Sequence, residues 1–157
     1  MERLCLFLRR RNRKRSKTQT YLKQMKKIFL DTNILIDFVL GRDNGEAKRL
    51  LQFGCDKKVC LAASTLTFAN MAYILRNKVD IYELFKFLSS FIEVLPIDGN
   101  HLELALERRV RDFEDMLQYQ SAKSGQCNVI VTNNERDFAE FCTDLPYMNA
   151  QHILEEL

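Results

Sequence analysis

Ile28-Phe29-Leu30-Asp31-Thr32-Asn33-Ile34-Leu35-Ile36-Asp37 is the stretch that decides how this chain folds. A short apolar run ends abruptly in a carboxylate. A hydroxyl and an amide follow, and then a second apolar run with helical spacing. That order reads as a buried strand, a polar turn and a helix. In an open α/β sheet, ligands bind just beyond the carboxyl ends of the strands. An aspartate there is held rigidly and still faces the cleft. Burying an anion is costly unless it is paired or metal-bound, which makes Asp31 a candidate ligand for a divalent cation.

Outward from this stretch, short apolar runs alternate with helical patterns. Strands are expected over Lys27–Asp31, Val59–Ala62, Ile92–Ile97, Val129–Thr132 and Pro146–Met148. Helices are expected over Asn33–Leu40, stopped by Gly41, then to about Gly54, over Ser64–Arg76, Ile81–Phe91, Asn100–Arg109 and Asp112–Lys123, near Glu135–Phe141, and at the C-terminus. Within Ser64–Arg76, the apolar positions Leu66, Ala69, Ala72, Tyr73 and Leu75 are assigned to the core. Strands separated by helices imply a parallel sheet covered on both faces, an α/β fold.

The chain has 157 residues, 46% of them hydrophobic and 29% charged. That frames one domain with a real core. No apolar run approaches the roughly 18 residues needed to span a membrane. The five cysteines are odd in number, widely spaced and without a Cys-x-x-Cys. They read as reduced thiols of a cytoplasmic protein. With only two histidines, a His/Cys zinc site is disfavoured, and a hard cation held by carboxylates is the metal to expect.

The net charge of +3 conceals an asymmetry. Residues 1–27 hold 11 Lys/Arg against the single acid Glu2, leaving 13 basic and 20 acidic residues, a net −7, from Ile28 onward. Residues 1–24 are therefore read as a basic leader, expected to be disordered, ahead of a domain spanning 25–157. Three readings of it compete. A targeting peptide is disfavoured, because the apolar part precedes the charges and no cleavage pattern follows; two others stand side by side. It is an arm that grips nucleic-acid phosphates, or it is not native and Met25 is the true start.

Three further segments carry candidate chemistry. In Asp112-Phe113-Glu114-Asp115-Met116-Leu117 three acids crowd a helix start. Asp112 and Asp115 share a face, while Phe113, Met116 and Leu117 mark the buried side. Asp112 is also a natural N-cap, and acids complement the helix dipole. In Val129-Ile130-Val131-Thr132-Asn133-Asn134-Glu135-Arg136-Asp137, a second buried strand ends in polar residues. Asp137 there either lines the site or stabilises the next helix. In Ser64-Thr65-Leu66-Thr67-Phe68-Ala69-Asn70, Ser64 is an N-cap, and Asn70 is an amide inside an otherwise apolar helix.

In order and spacing, Leu30-Asp31-Thr32-Asn33, Ser64 to Tyr73, Asp115-Met116-Leu117 and Val131-Thr132-Asn133-Asn134 with Asp137-Phe138 resemble the PIN-domain ribonucleases, including the VapC-like toxins of toxin–antitoxin pairs. The resemblance covers nearly all of 25–157. It implies a three-layer fold around a five-stranded parallel sheet of order 3-2-1-4-5. It also implies four acids around one or two Mg²⁺ or Mn²⁺ ions. Asp31 and Asp115 match two of these. The position that bears Glu in the family is Asn70 here, and the fourth acid falls at Asn134 or, three residues on, Asp137.

The resemblance therefore implies a metal-dependent endoribonuclease, a toxin with a cognate antitoxin and a possible homodimer. Asp31 and Asp115 would hold the metal, with Asn70 and Asp137 completing the catalytic set. Thr32, Asn33, Asp112, Glu114, Thr132 and Asn134 would support them. If Asn70 stands at the glutamate position, its amide points into the cleft, with Ala69 and Ala72 facing the core. Arg108, Arg109 and Arg111, with Arg76, Lys78 and Lys123, are candidates for a basic rim toward RNA, against the alternative of solvated helix faces. The missing carboxylates support a competing reading, a degenerate PIN-like domain that binds RNA or a protein without cleavage. A phosphatase-like or receiver-like protein would need a nucleophilic Asp31 and motifs that are not found.

Overall fold

A computed structural model describes residues 25–157; the basic leader, residues 1–24, lies outside the described residues. The elements run β1 (Lys27–Leu30), α1 (Thr32–Leu40), α2 (Glu46–Cys55), β2 (Cys60–Ser64), α3 (Thr65–Leu75), α4 (Ile81–Leu88), β3 (Ile92–Leu95), α5 (Gly99–Arg108), α6 (Phe113–Ser124), β4 (Val129–Val131), α7 (Glu135–Phe138), β5 (Tyr147–Met148) and α8 (Ala150–Glu155). The five strands form one sheet in the order β3-β2-β1-β4-β5, with every pairing parallel. This is the expected architecture.

The alternation of side chains along each strand builds two cores. Ile28 and Leu30 of β1, Leu61 and Ala63 of β2, and Val129 and Val131 of β4 pack with Ile34 and Leu35 of α1, Leu50 and Leu51 of α2, Met71 and Leu75 of α3, Leu88 of α4 and Ile153 of α8. Phe29, Ala62 and Ile130 point to the other face and pack with Ala105 of α5, Met116, Tyr119 and Ala122 of α6, and Phe138 of α7. Strands buried on both faces read as continuous apolar runs, which is why the sequence signals them so clearly. Among the described residues, no helix is long and apolar enough to cross a membrane. Cys60, Cys127 and Cys142 are thiols; burial pushes Cys127 up to about 12 and Cys142 up to about 11.

Most helix ends have the expected chemistry. Gly41 closes α1 in the left-handed region at φ 63. The Ser64 side chain caps α3 by accepting from the Thr67 N–H, and Asp98 caps α5 in a reciprocal box with His101. The face of α3, however, differs from expectation. Its inward positions are Thr67, Met71 and Leu75, while Ala69 is exposed, Ala72 is half-buried and Tyr73 is 70% exposed. Phe113 of α6 also faces outward, at 40% exposure. Leu75 is buried as expected and Leu66 is half-buried; the spacing of 67, 71 and 75 is helical, and apolarity alone wrongly favoured Ala69 and Tyr73.

α2 ends at Cys55, next to Gly54, as expected, and Gly54 occupies its last turn. A Cβ at this position would meet the side chain of Leu61, closely at Cδ1 and at 2.7 Å from Cγ. Leu61 is buried in β2, so its side chain would have to shift within the packed core. Gly54→Ala should gain up to ~1 kcal/mol of helix propensity but lose about 1–3 kcal/mol to overpacking. Chemical denaturation should show a net loss of stability; a gain would mean that the α2–β2 contact is loose.

Candidate active site

The sheet's central strand ends at Asp31, which is both the N-cap of α1 and a carboxylate only 3% exposed. Four donors surround it. The Thr32 N–H (2.5 Å) and the Gln118 amide Nε2 (3.1 Å) donate to Oδ1. The Thr132 hydroxyl (2.7 Å) and the Asn33 Nδ2 (2.6 Å) donate to Oδ2. Burial raises the pKa of Asp31, and these hydrogen bonds, Thr132's first, oppose the rise. Thr132 is fully buried just beyond β4 and in turn accepts from the Asn134 N–H at 2.9 Å. Asn33 also reaches across to the loop after β4, its Oδ1 accepting from the Asn133 N–H at 3.1 Å.

The start of α6 brings the remaining acids to this point. Asp112 caps the helix by accepting from the Asp115 N–H at 3.1 Å. The capping role and the acidic cluster therefore coexist. One ligand oxygen each from Asp112, Glu114 and Asp115 lie within 4.8 Å of one another. Asp115 is 6% exposed, and among the described residues no hydrogen bond reaches its carboxylate. Burial first, then the charges of Asp31, Asp112, Glu114 and Asp137, push its carboxyl up to about 8. Burial and the charges of Asp31 and Asp112 likewise raise Glu114.

Other sequence-derived candidates land at varied distances from this centre. Asn70 donates to Glu114 Oε1 at 2.6 Å, so it touches the site through that carboxylate. Asp137 is close enough to repel Asp115 but is itself held by the Asn134 side chain. Arg108, Arg109 and Arg111 are exposed on and just after the end of α5, leading directly into Asp112. Two other proposed rim cations are engaged elsewhere: Lys123 pairs with Asp144 at 2.7 Å, and Arg76 lies over the Tyr73 ring.

Gln118 and Thr67 were not anticipated. Both are fully buried. The Gln118 Nε2 bridges Asp31 and Glu114, 2.7 Å from Glu114 Oε1, and its Oε1 accepts from the Thr67 hydroxyl at 2.9 Å. Thr67 is anchored by Ser64 at the α3 cap. The available signal was positional: Gln118 lies one turn after Glu114, on the face that leads from Asp115.

Among the described residues no buried side-chain oxygen lacks a partner, so the Asp115 carboxylate, which takes no hydrogen bond from them, keeps its oxygens open to solvent. Crowded there by four other acids, it is a poor arrangement unless a cation completes it. Asp115 and its neighbours thus fit a hard divalent ion, for which oxygen donors are the preferred ligands.

A family model for the PIN domain matches residues 27–136. The chain belongs to the PIN domain family. No curated protein matches it by sequence. Among solved structures, this PIN domain is similar to VapBC-1 from nontypeable Haemophilus influenzae, at 21% identity and a TM-score of 0.58, covering 80% of this chain and 98% of that one. It is similar to VapBC2 from Rickettsia felis, bound to a DNA fragment from the promoter, at 18% identity and a TM-score of 0.62, covering 78% and 98%. A toxin–antitoxin complex from Klebsiella pneumoniae matches at 22% identity and a TM-score of 0.56, covering 78% and 97%. At these identities the likeness is one of fold.

The Asp115 carboxyl has a direct consequence for stability. Unfolded, it titrates near the ordinary 3.8; folded, near about 8. Between these values the folded state holds the extra proton, so stability is greatest at the acid end and declines as pH rises. Without divalent ions, unfolding free energy should fall from about pH 4 to about pH 8, and Asp115→Asn should flatten that slope. Denaturant titrations in EDTA across the range check this; an identical slope in the variant would show that Asp115 ionises freely.

Proposed function

We propose that this PIN domain is a divalent-metal-dependent endoribonuclease, the toxin of a toxin–antitoxin pair. The observation that carries the reading is the largely buried Asp115, whose carboxylate takes no hydrogen bond from the described residues and is crowded by Asp31, Asp112, Glu114 and Asp137. Asp31 and Asp115 would hold Mg²⁺ or Mn²⁺. When bound, such an ion supplies a water of lowered pKa and offsets charge on the phosphate undergoing displacement. The chain's own residues do the positioning. Thr132, Asn33 and Gln118 fix the Asp31 carboxylate, and Asp112 fixes the first turn of α6 that presents Asp115.

RNA as substrate is supported by position. Arg108, Arg109 and Arg111 are exposed and lead into the acidic turn, where they would contact phosphates flanking the site. An antitoxin partner and a homodimer are part of the proposal. The Klebsiella pneumoniae neighbour is described as a toxin–antitoxin complex, which supports the first. A cytoplasmic location follows from the same reading.

One observation favours a second reading. All four acceptor positions of Asp31 are filled by protein donors, as they would be in a PIN domain that binds RNA or a protein without cutting. For a cation to reach Asp31, one of the two amides must yield. Incubation with mixed RNAs in Mg²⁺, Mn²⁺ or EDTA separates the two readings. Cleavage that needs the metal and falls at least about 100-fold in Asp31→Asn, in line with loss of a charge stabiliser, supports the nuclease. RNA binding without cleavage under any metal supports the second.

A further inference from the structure

We propose that Glu114 is the third carboxylate of this site toward a hard divalent cation, held there by the amides of Asn70 and Gln118 as positioning groups. The proposal rests on the metal-dependent reading above. A glutamate in the first turn of a helix is ordinarily a solvated partner of the helix dipole. Glu114 is different: it is half-buried, and two amides converge on one of its oxygens. Asn70 Nδ2 donates to Oε1 at 2.6 Å and Gln118 Nε2 donates to the same Oε1 at 2.7 Å. Among the described residues, no hydrogen bond reaches Oε2. Two charge-assisted bonds therefore fix the group and leave one oxygen unengaged.

The surroundings give that orientation a purpose. A ligand oxygen of Glu114 lies within 4.8 Å of one each from Asp112 and Asp115, a spacing that oxygens sharing a cation can adopt. The second sign of a cation is Asp115: the residue is only 6% exposed, yet its carboxylate takes no hydrogen bond from the described residues and its oxygens stay open to the space the acids share. The clamp is also rigid. Gln118 is pinned by Thr67, and Thr67 by Ser64, so the polar chain runs from the end of β2 through α3 to α6 and back to Asp31.

The same geometry explains Asn70. On α3 it stands where the resemblance leads one to expect a glutamate. A carboxylate there would face the Glu114 carboxylate at hydrogen-bonding distance and repel it. An amide can instead donate to it. The negative charge thus sits on α6, and α3 contributes the donor that orients it.

Calorimetric titration of Mn²⁺ into the full chain tests this. Glu114→Gln keeps the shape and both accepting contacts but removes the charge, and should weaken binding at least about tenfold. Asn70→Ala leaves the charge but removes one positioning donor, and should weaken binding about tenfold, as loss of groups that orient ligands commonly does. In EDTA, Glu114→Gln should melt no lower than wild type, because a crowded charge has gone; a merely structural role would lower the melting temperature. If Glu114→Gln does not fold, Glu114→Asp keeps the charge but falls one methylene short of both amides, and should also bind Mn²⁺ more weakly. Wild-type affinity in Glu114→Gln, with affinity lost in Asp115→Asn, would overturn the role of Glu114 alone. Wild-type affinity in Asp31→Asn and Asp115→Asn as well would overturn the metal reading itself.

Discussion

Asp31 is the constraint on which the site depends. A carboxylate at the end of a central strand cannot be buried without help, since removing a charge from water costs several kcal/mol even after relaxation. The help comes from four donors on three elements. Thr32 belongs to the first turn of α1, Asn33 to the same helix, Thr132 to the end of β4 and Gln118 to α6. One anion thus ties β1 to its neighbouring strand, to the helix layer on one face and to a helix on the other.

That tie shapes α6 in particular. The helix packs Met116, Tyr119 and Ala122 against the sheet, yet it also buries Asp115, Gln118, Gln120 and Ser121. A helix optimised for burial would not carry so many polar groups inward. Each needs a partner, and most have one: Gln118 through Asp31, Glu114 and Thr67, and Ser121 through the Pro96 carbonyl. Asp115 takes none from the described residues and instead keeps its carboxylate oxygens open to solvent. Sites that break local rules of stability are where function is expected, and the twin apolar cores on either side of the sheet supply the stability that the acidic turn does not.

Much of the fold was legible in the sequence because its strands are buried on both faces. Val129-Ile130-Val131 and Ile28-Phe29-Leu30 carry no polar alternation to confuse them, and Gly41 and Ser64 mark helix ends by conformational and capping chemistry that few other residues supply. The errors share a cause. Ala69 and Tyr73 were assigned inward because they are apolar, and Thr67 was passed over because it is not. Gly54 marks the end of α2 as its sequence suggested, and it is also the gap that lets Leu61 approach the helix, which the sequence did not show.

The sequence by itself determined that Asp31 closes a strand, that Thr132 closes another, and that three acids gather in one turn before a buried helix. Local spacing suffices for such statements, because a strand's period of two and a helix's period of 3.6 fix which residues share a face within one element. It does not say which face of α3 meets which face of α6. The contact of Asn70 with Glu114, the span of Gln118 from Glu114 to Asp31, and the isolation of Asp115 all depend on how two helices and the strand ends pack together. Those were decided only in the tertiary structure, where burial removes water and every polar group must find its partner among residues distant in the chain.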